Sequence, residues 1–190
     1  KGLDIVRSNF PPAMRDLMTQ VLKDILGDVD KDIIDEKILK FKKEMKTSKI
    51  MDIALPTAVK KLEKFADKRK VGKMHGNSSI FTQMHKGTPV HVKAAWVYND
   101  LLKYYGFKNI EEIKNREKIK WVYLKQNPLG ISQIAFKGYD DPDKIMDFIK
   151  EHIDYEKLFN SALLKKIKMF YGALKWDMPV DKANTLERFF

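Results

Sequence analysis

The sequence contains no cysteine, which excludes disulfides, thiolate zinc sites and cysteine nucleophiles and fits a reducing compartment among others. No apolar run approaches the roughly 18 residues that a membrane-spanning helix needs, so no membrane partner is expected. No signal peptide can be read, and the chain starts at Lys1 rather than at methionine, which points to an excised or processed piece. A glycine-rich phosphate loop, a His-Glu-x-x-His pattern and a Ser-His-Asp constellation are all missing. The histidines His75, His85, His91 and His152 stand without tight metal spacing, which leaves them structural or solvent-facing.

What is present is basic charge, and it is concentrated. The formal net charge is +11; residues 49–125 carry +10 of it, against +1 for residues 1–48 and zero for 126–190. Two readings stand side by side: a polyanion partner, because lysines that neutralise phosphates release condensed counterions, or a solubilising surface. With 44% hydrophobic residues over 190 positions, the chain can bury one real core.

Apolar periodicity organises the sequence. After Pro11-Pro12, the residues Met14, Leu17, Met18, Val21, Leu22 and Ile25 share one helical face, which predicts a helix over about 12–26. Gly27 and Asp28 stop it, Asp30 is placed to cap the next helix, and Ile34, Ile38, Phe41 and Met45 continue it, giving a helical hairpin over 12–46. A basic centre spans 49–125. In it, Ile50 to Leu55 reads as a short strand or extended entry, and a basic helix from Pro56 is expected to turn Val59, Leu62 and Phe65 inward. Lys70 to Gly87 reads as a loop, and Pro89 opens a helix with a broad apolar face from Ala94 to Tyr105. Strands are expected at 118–125, with Ile119, Trp121 and Tyr123 on one face, and at 131–136, joined by the turn Asn127-Pro128-Leu129-Gly130. Helices near 141–152 and 155–174 follow, so the small sheet and C-terminal helices occupy 118–175. The expected class is α+β, mainly helical, with a small antiparallel sheet: one domain over 1–179 and a tail over 180–190.

Several side chains carry candidate chemistry. Lys60, Lys61 and Lys64 form a dense cationic edge, either touching phosphate or merely solvated, whereas Lys42, Lys43 and Lys46 sit among acids and read as a solvated face. In the terminal helix Leu158, Phe159, Ala162, Leu163, Ile167 and Phe170 define the inward stripe, and Lys165 points away from it. Trp96, Tyr98, Trp121 and Tyr123 have the periodicity of core residues more than of base-stacking ones. Gly138-Tyr139-Asp140-Asp141 reads as a capping turn before Pro142 rather than as a two-metal carboxylate site.

Taken in order, a set of strings resembles one family. Lys1-Gly2-Leu3-Asp4-Ile5-Val6-Arg7-Ser8 is similar to the palm–thumb junction of family B DNA polymerases. Asp52-Ile53-Ala54-Leu55-Pro56, then Lys86-Gly87-Thr88-Pro89-Val90-His91-Val92-Lys93 with Tyr98-Asn99, resemble successive thumb segments of the tailed-phage branch. Asn127-Pro128-Leu129-Gly130, Phe136, and the terminal helix from Tyr155 with Gly172 and Trp176 continue the likeness, which spans essentially the whole chain. Lys70 to Gln83 matches no string of the family.

The resemblance implies a thumb-like helical domain that holds primer-template duplex through phosphates and the minor groove, working with the palm and fingers of its parent polymerase. It implies DNA contacts for His91 and Lys93 and supports one for Lys165. It implies no catalytic residue and no cofactor in this piece, because the carboxylates that bind two divalent ions, magnesium in the parent palm, lie before residue 1. The expected place is the cytoplasm of an infected bacterial host. The tail places Leu186, Phe189 and Phe190 at i, i+3 and i+4, and resembles the sliding-clamp-binding peptide at the C-termini of replicative polymerases, with Ala183 where a glutamine is common. The competing readings are a freestanding basic nucleic-acid-binding or replication-accessory module and a naturally split polymerase; a free enzyme comes last, for want of a nucleophile or metal set.

Overall fold

Two prolines in succession fix φ and remove amide donors where a helix can spare them, and the first helix starts there. A computed structural model of the protein describes residues 10–71, 82–84 and 87–179, with side chains at 10–65 and 87–179. The fold is α+β and mainly helical, with a small antiparallel sheet. It divides into two compact units, one taking the chain up to Ile53 and again from Tyr155, the other taking Ala54–Asp154.

The first unit begins with α1 (Pro12–Leu26) and α2 (Lys31–Glu44). The expected stripe is buried at Met14, Leu17, Met18 and Val21, but the next inward position is Asp24 rather than Leu22 or Ile25. A buried carboxylate persists only when paired, and Asp24 accepts a hydrogen bond from Gln20 Nε2 at 2.8 Å and forms an ion pair with Lys37 of α2. Asp30 occupies the α2 cap position through its backbone only: its carbonyl accepts from Ile33 and Ile34 at 3.1 and 3.3 Å, and its side chain makes no cap bond. Ile34, Ile38 and Met45 complete the buried side of the hairpin, each contributing roughly 1.5–3 kcal/mol relative to exposure. Residues Ile50–Ile53 form one helical turn, α3, instead of the extended entry expected there.

The terminal helix of this unit is α6 (Tyr155–Phe159), a π-helical turn (Asn160–Leu164) and α7 (Lys165–Ala173) in direct succession. Leu158, Phe159, Ala162, Leu163, Ile167 and Tyr171 are buried along it, so Tyr171 takes the inward place assigned to Phe170. The reason is polar as well as apolar. Tyr171 donates its hydroxyl to Asp35 Oδ1 of α2 at 2.5 Å, Lys31 grips Oδ2 of the same carboxylate at 2.5 Å, and Trp176 sets its ring edge-on to Tyr171 at 5.5 Å. Lys42 is not simply solvated: it pairs with Glu156 at 3.5 Å and lies 5.7 Å from the Phe159 ring.

In the second unit, Pro56 belongs to a strand and not to a helix. β1 (Leu55–Ala58) pairs antiparallel with β4 (Lys118–Tyr123), which pairs antiparallel with β5 (Gln133–Phe136), in the order β1-β4-β5. An edge strand tolerates the missing amide of proline. Val59 and Leu62 are buried as expected, but from the strand end and the turn after it, and a 3-10 helix follows at Glu63–Lys68. The segment read as a loop after Lys70 begins and ends in a ribbon, β2 (Arg69–Val71) against β3 (Thr82–Met84).

The core of this unit is α4 (Val90–Tyr104) packed on β5, with Val92, Tyr98, Leu101, Leu102, Val122, Ile134 and Phe136 buried. Trp121 and Tyr123 are only half-buried, edge-to-face at 5.0 Å, while Val122 and Leu124 of the opposite strand face are fully inside. β5 starts later than its apolar run, because Asn127 holds Ile131 in the turn: its Nδ2 donates to the Ile131 carbonyl at 2.6 Å and its Oδ1 accepts the Ile131 amide at 3.3 Å. α5 (Asp143–His152) closes the unit through a bridge from Leu124 to Ile153.

Candidate nucleic-acid interface

The antiparallel ladder of β1 and β4 runs one step past the strands, and this extension builds a cationic corner. Val59 donates its amide to Glu117 O at 2.9 Å, Arg116 donates its amide to Val59 O at 2.6 Å, and Leu62 N reaches Asn115 Oδ1 at 3.2 Å. Two basic residues hold left-handed backbone where the chain turns, Lys61 at φ 61° and Arg116 at φ 69°. Such a conformation costs a non-glycine residue on the order of 1 kcal/mol and survives only where bonds over-determine it. The two turns present Lys60, Lys61, Lys64, Arg116 and Lys118, all exposed. Ala58 and Lys118 are register partners, so the charges from both chain segments meet at one end of the sheet.

Of the two acids at this corner, Glu63 is exposed beside Lys64 and Glu117 is already engaged. Glu117 accepts from Lys137 Nζ at 3.3 Å, from the Tyr139 hydroxyl at 3.1 Å and from the Lys114 amide at 2.8 Å. Among the described residues no carboxylate pairs with Lys60, Lys61, Lys64, Arg116 or Lys118. Five cations offset by Glu63 alone repel one another, and an anion arriving there relieves that repulsion. Arg116 and Lys118 were not among the residues singled out from sequence. Asn115, a turn-forming residue just before the strand, was the signal that could have marked them.

The other expected residues are placed elsewhere. His91 and Lys93 lie in the first turn of α4, which contains no acidic residue, and both are half-buried. Burial pushes the His91 imidazole below its ordinary titration range, so at neutral pH it offers a hydrogen bond rather than a charge. Lys165 is exposed at the start of α7, directly after the π turn, and belongs to the first unit. Leu186, Phe189 and Phe190, like His75 and His85, lie outside the described residues. His152 is structural, with Nδ1 3.0 Å from Phe148 O and its ring stacked on Phe148 at 4.5 Å.

Asp140 and Asp141 are not a helix cap. Asp141 reaches backward and accepts the amides of Lys137 at 2.9 Å and Gly138 at 2.6 Å, while Asp140 turns the chain at φ 51°. α5 starts after Pro142 without a side-chain cap bond. The Asp141 carboxylate also lies near the buried Tyr98 phenol, and desolvation together with that charge drives the phenol's titration far upward. Among the described residues no group of three or more His, Asp or Glu side chains is arranged to hold a metal ion, and no helix is long and apolar enough to cross a membrane.

No family model matches the chain. Among curated proteins it is similar to the human protein SSX9, with 28% identity over 65 residues that make up 34% of this chain and 35% of that protein. The chain thus matches about a third of the length of that relative, a likeness too short and too distant to place it in a family.

Proposed function

We propose that this chain is the thumb portion of a phage-type family B DNA polymerase, which grips primer-template duplex behind an active site built by other parts of the enzyme. The observation that carries the reading is the junction of Lys60, Lys61, Lys64, Arg116 and Lys118, held by the Val59–Arg116 and Leu62–Asn115 bonds. Backbone-anchored cations without carboxylate partners suit phosphate contacts, which position a duplex without reading its sequence. The ordered strings resembling the family, from Lys1-Gly2 to Trp176, support the same reading. Lys93 and a hydrogen bond from His91 extend the contact in this proposal, and Lys165, in the other unit, is a separate candidate phosphate contact.

On this reading the chain transfers no nucleotides by itself. The two magnesium ions and their carboxylates belong to the palm, the setting is the cytoplasm of an infected bacterium, and the tail with Leu186, Phe189 and Phe190 docks on the sliding clamp.

The test is a binding titration across salt with blunt duplex and primer-template. Five phosphate contacts predict log K falling by about 4 to 5 per tenfold rise in salt, on all sequences alike. Lys60→Gln, Lys61→Gln and Arg116→Gln should each flatten that slope by about one, and Lys43→Gln should not. Binding indifferent to salt, or strongly dependent on sequence, refutes it. The alternative, a freestanding nucleic-acid-binding or replication-accessory module, is separated by the coding sequence before Lys1: a palm with paired aspartates there supports the thumb, and a start codon supports the module.

A further inference from the structure

Helix α4 ends in an aromatic knuckle that the core does not use. Gly106 takes left-handed backbone at φ 74°, its amide donates to Lys103 O at 3.1 Å, and the Phe107 amide donates to Leu102 O at 2.9 Å. This pair of bonds is a Schellman closure, which satisfies the last carbonyls of the helix and fixes the exit direction of the chain. It gathers three rings. Tyr104 and Tyr105 lie 5.0 Å apart between centroids, and Phe107 meets Tyr105 edge-on at 6.1 Å. Tyr105 and Phe107 are half-buried and support the knuckle, but Tyr104 is 50% exposed.

Cations stand beside this knuckle. Lys144 Nζ stands 4.1 Å from the centroid of Tyr105, and Lys108 is exposed one residue beyond Phe107. On the same connection Glu112 is tied to Lys103 at 3.0 Å and Glu111 to Lys114 at 3.1 Å, which leaves Lys108 and Lys144 uncancelled. Asp143 sits beside Lys144, in the first turn of α5, where the helix end attracts its charge. An aromatic cluster with lysines beside it suits a ligand that offers a flat π face and a negative charge. An apolar protein segment suits it less, because burying the two lysines would cost their hydration. A duplex offers its phosphates but not its base faces, which are already stacked on one another.

We propose that this knuckle is a stacking site for an unpaired base of a single-stranded nucleic acid, with the base on Tyr104 and the adjoining phosphates on Lys108 and Lys144. Stacking on aromatic side chains tolerates any base, so the site has no sequence preference.

The experiment measures binding of the full chain to fluorescein-labelled oligothymidylate, to an abasic oligomer of the same length, and to blunt duplex. Wild-type protein should bind the oligothymidylate about tenfold tighter than the abasic strand, and Tyr104→Ala should remove that advantage without changing duplex affinity. Tyr104→Phe should keep it. Equal wild-type binding of the abasic and thymidylate strands overturns the proposal with no variant needed, and so does a Tyr104→Ala protein that retains the preference, or an absence of single-strand binding. Failure of the duplex titration leaves this comparison untouched, and the reverse also holds.

Discussion

Replacing Asn99 tests the polar anchor beneath the basic junction. Asn99 is 1% exposed in the middle of α4, and its side chain makes both backbone bonds of Ile113: Oδ1 accepts the Ile113 amide at 2.7 Å, and Nδ2 donates to the Ile113 carbonyl at 3.0 Å. Ile113 is itself buried at 1%, so water cannot replace the lost partners. Asn99→Ala strands one donor and one acceptor, each at about 1–3 kcal/mol, for a total of roughly 2–6 kcal/mol. For a unit of about a hundred residues this lowers Tm by at least ~8 °C. Asn99→Asp keeps the acceptor but turns an oxygen toward the Ile113 carbonyl, and should be no milder than alanine. Urea unfolding gives the free energy, and hydrogen exchange at the Ile113 amide should accelerate in both variants. Since Asn115 lies two residues beyond this anchor, affinity for duplex should fall as well. An alanine variant within ~1 kcal/mol of wild type would refute the argument that the pair is essential to the fold.

Three further outcomes follow from the same structure. Asp141→Ala strands the amides of Lys137 and Gly138 and should cost about 1–3 kcal/mol, whereas Asp140→Gly, at a left-handed position, should be neutral or stabilising in the same unfolding assay. The hydrogen bond from Lys37 is the main force holding the Asp24 carboxyl below its usual value of 3.8, so the stability it confers is complete above that pH and is lost as pH falls through the lower folded-state value. Acid unfolding followed from about pH 5 to 2 should show this loss, reduced in Lys37→Gln. Tyr171 is held un-ionised by burial and by its bond to Asp35, so ultraviolet titration should find it protonated well above its ordinary value of 10 while the fold persists, and Tyr171→Phe should destabilise by about 1–3 kcal/mol.

Local signals carried the helices, and non-local pairing carried the surprises. Pro11-Pro12, Pro89 and the spacing of Met14, Leu17, Met18 and Val21 specify α1 and α4 from neighbouring residues alone. Pro56 reads as a helix start by the same logic, yet Leu55 pairs with Trp121, far along the chain, and no window of local sequence contains that partner. Arg116 and Lys118 escaped notice for the same reason, since they join Lys60 and Lys61 only through the register of β1 and β4. Asp24 and Tyr171 take the inward places that periodicity gives to Leu22, Ile25 and Phe170, because polar partners, Lys37 and Asp35, decide which side faces in, and periodicity counts only apolar side chains. The even alternation expected of Ile119, Trp121 and Tyr123 holds at Ile119, which is buried, and breaks after it, where Val122 and Leu124 are buried instead of Trp121 and Tyr123.

The division of the first unit into two stretches of chain has a consequence for the order of events during synthesis. Asp35 emerges from the ribosome long before Tyr171, its hydroxyl partner, and the roughly one hundred residues of Ala54–Asp154 emerge between them. At roughly 5–20 residues per second, the α1–α2 hairpin waits on the order of 5–20 s with Asp35 lacking its Tyr171 partner. The second unit is contiguous and can complete its sheet in that interval. Premature release of the nascent chain near Asp154 should therefore yield a folded second unit attached to an aggregation-prone hairpin, and a chaperone that shields apolar helices is needed most during that interval.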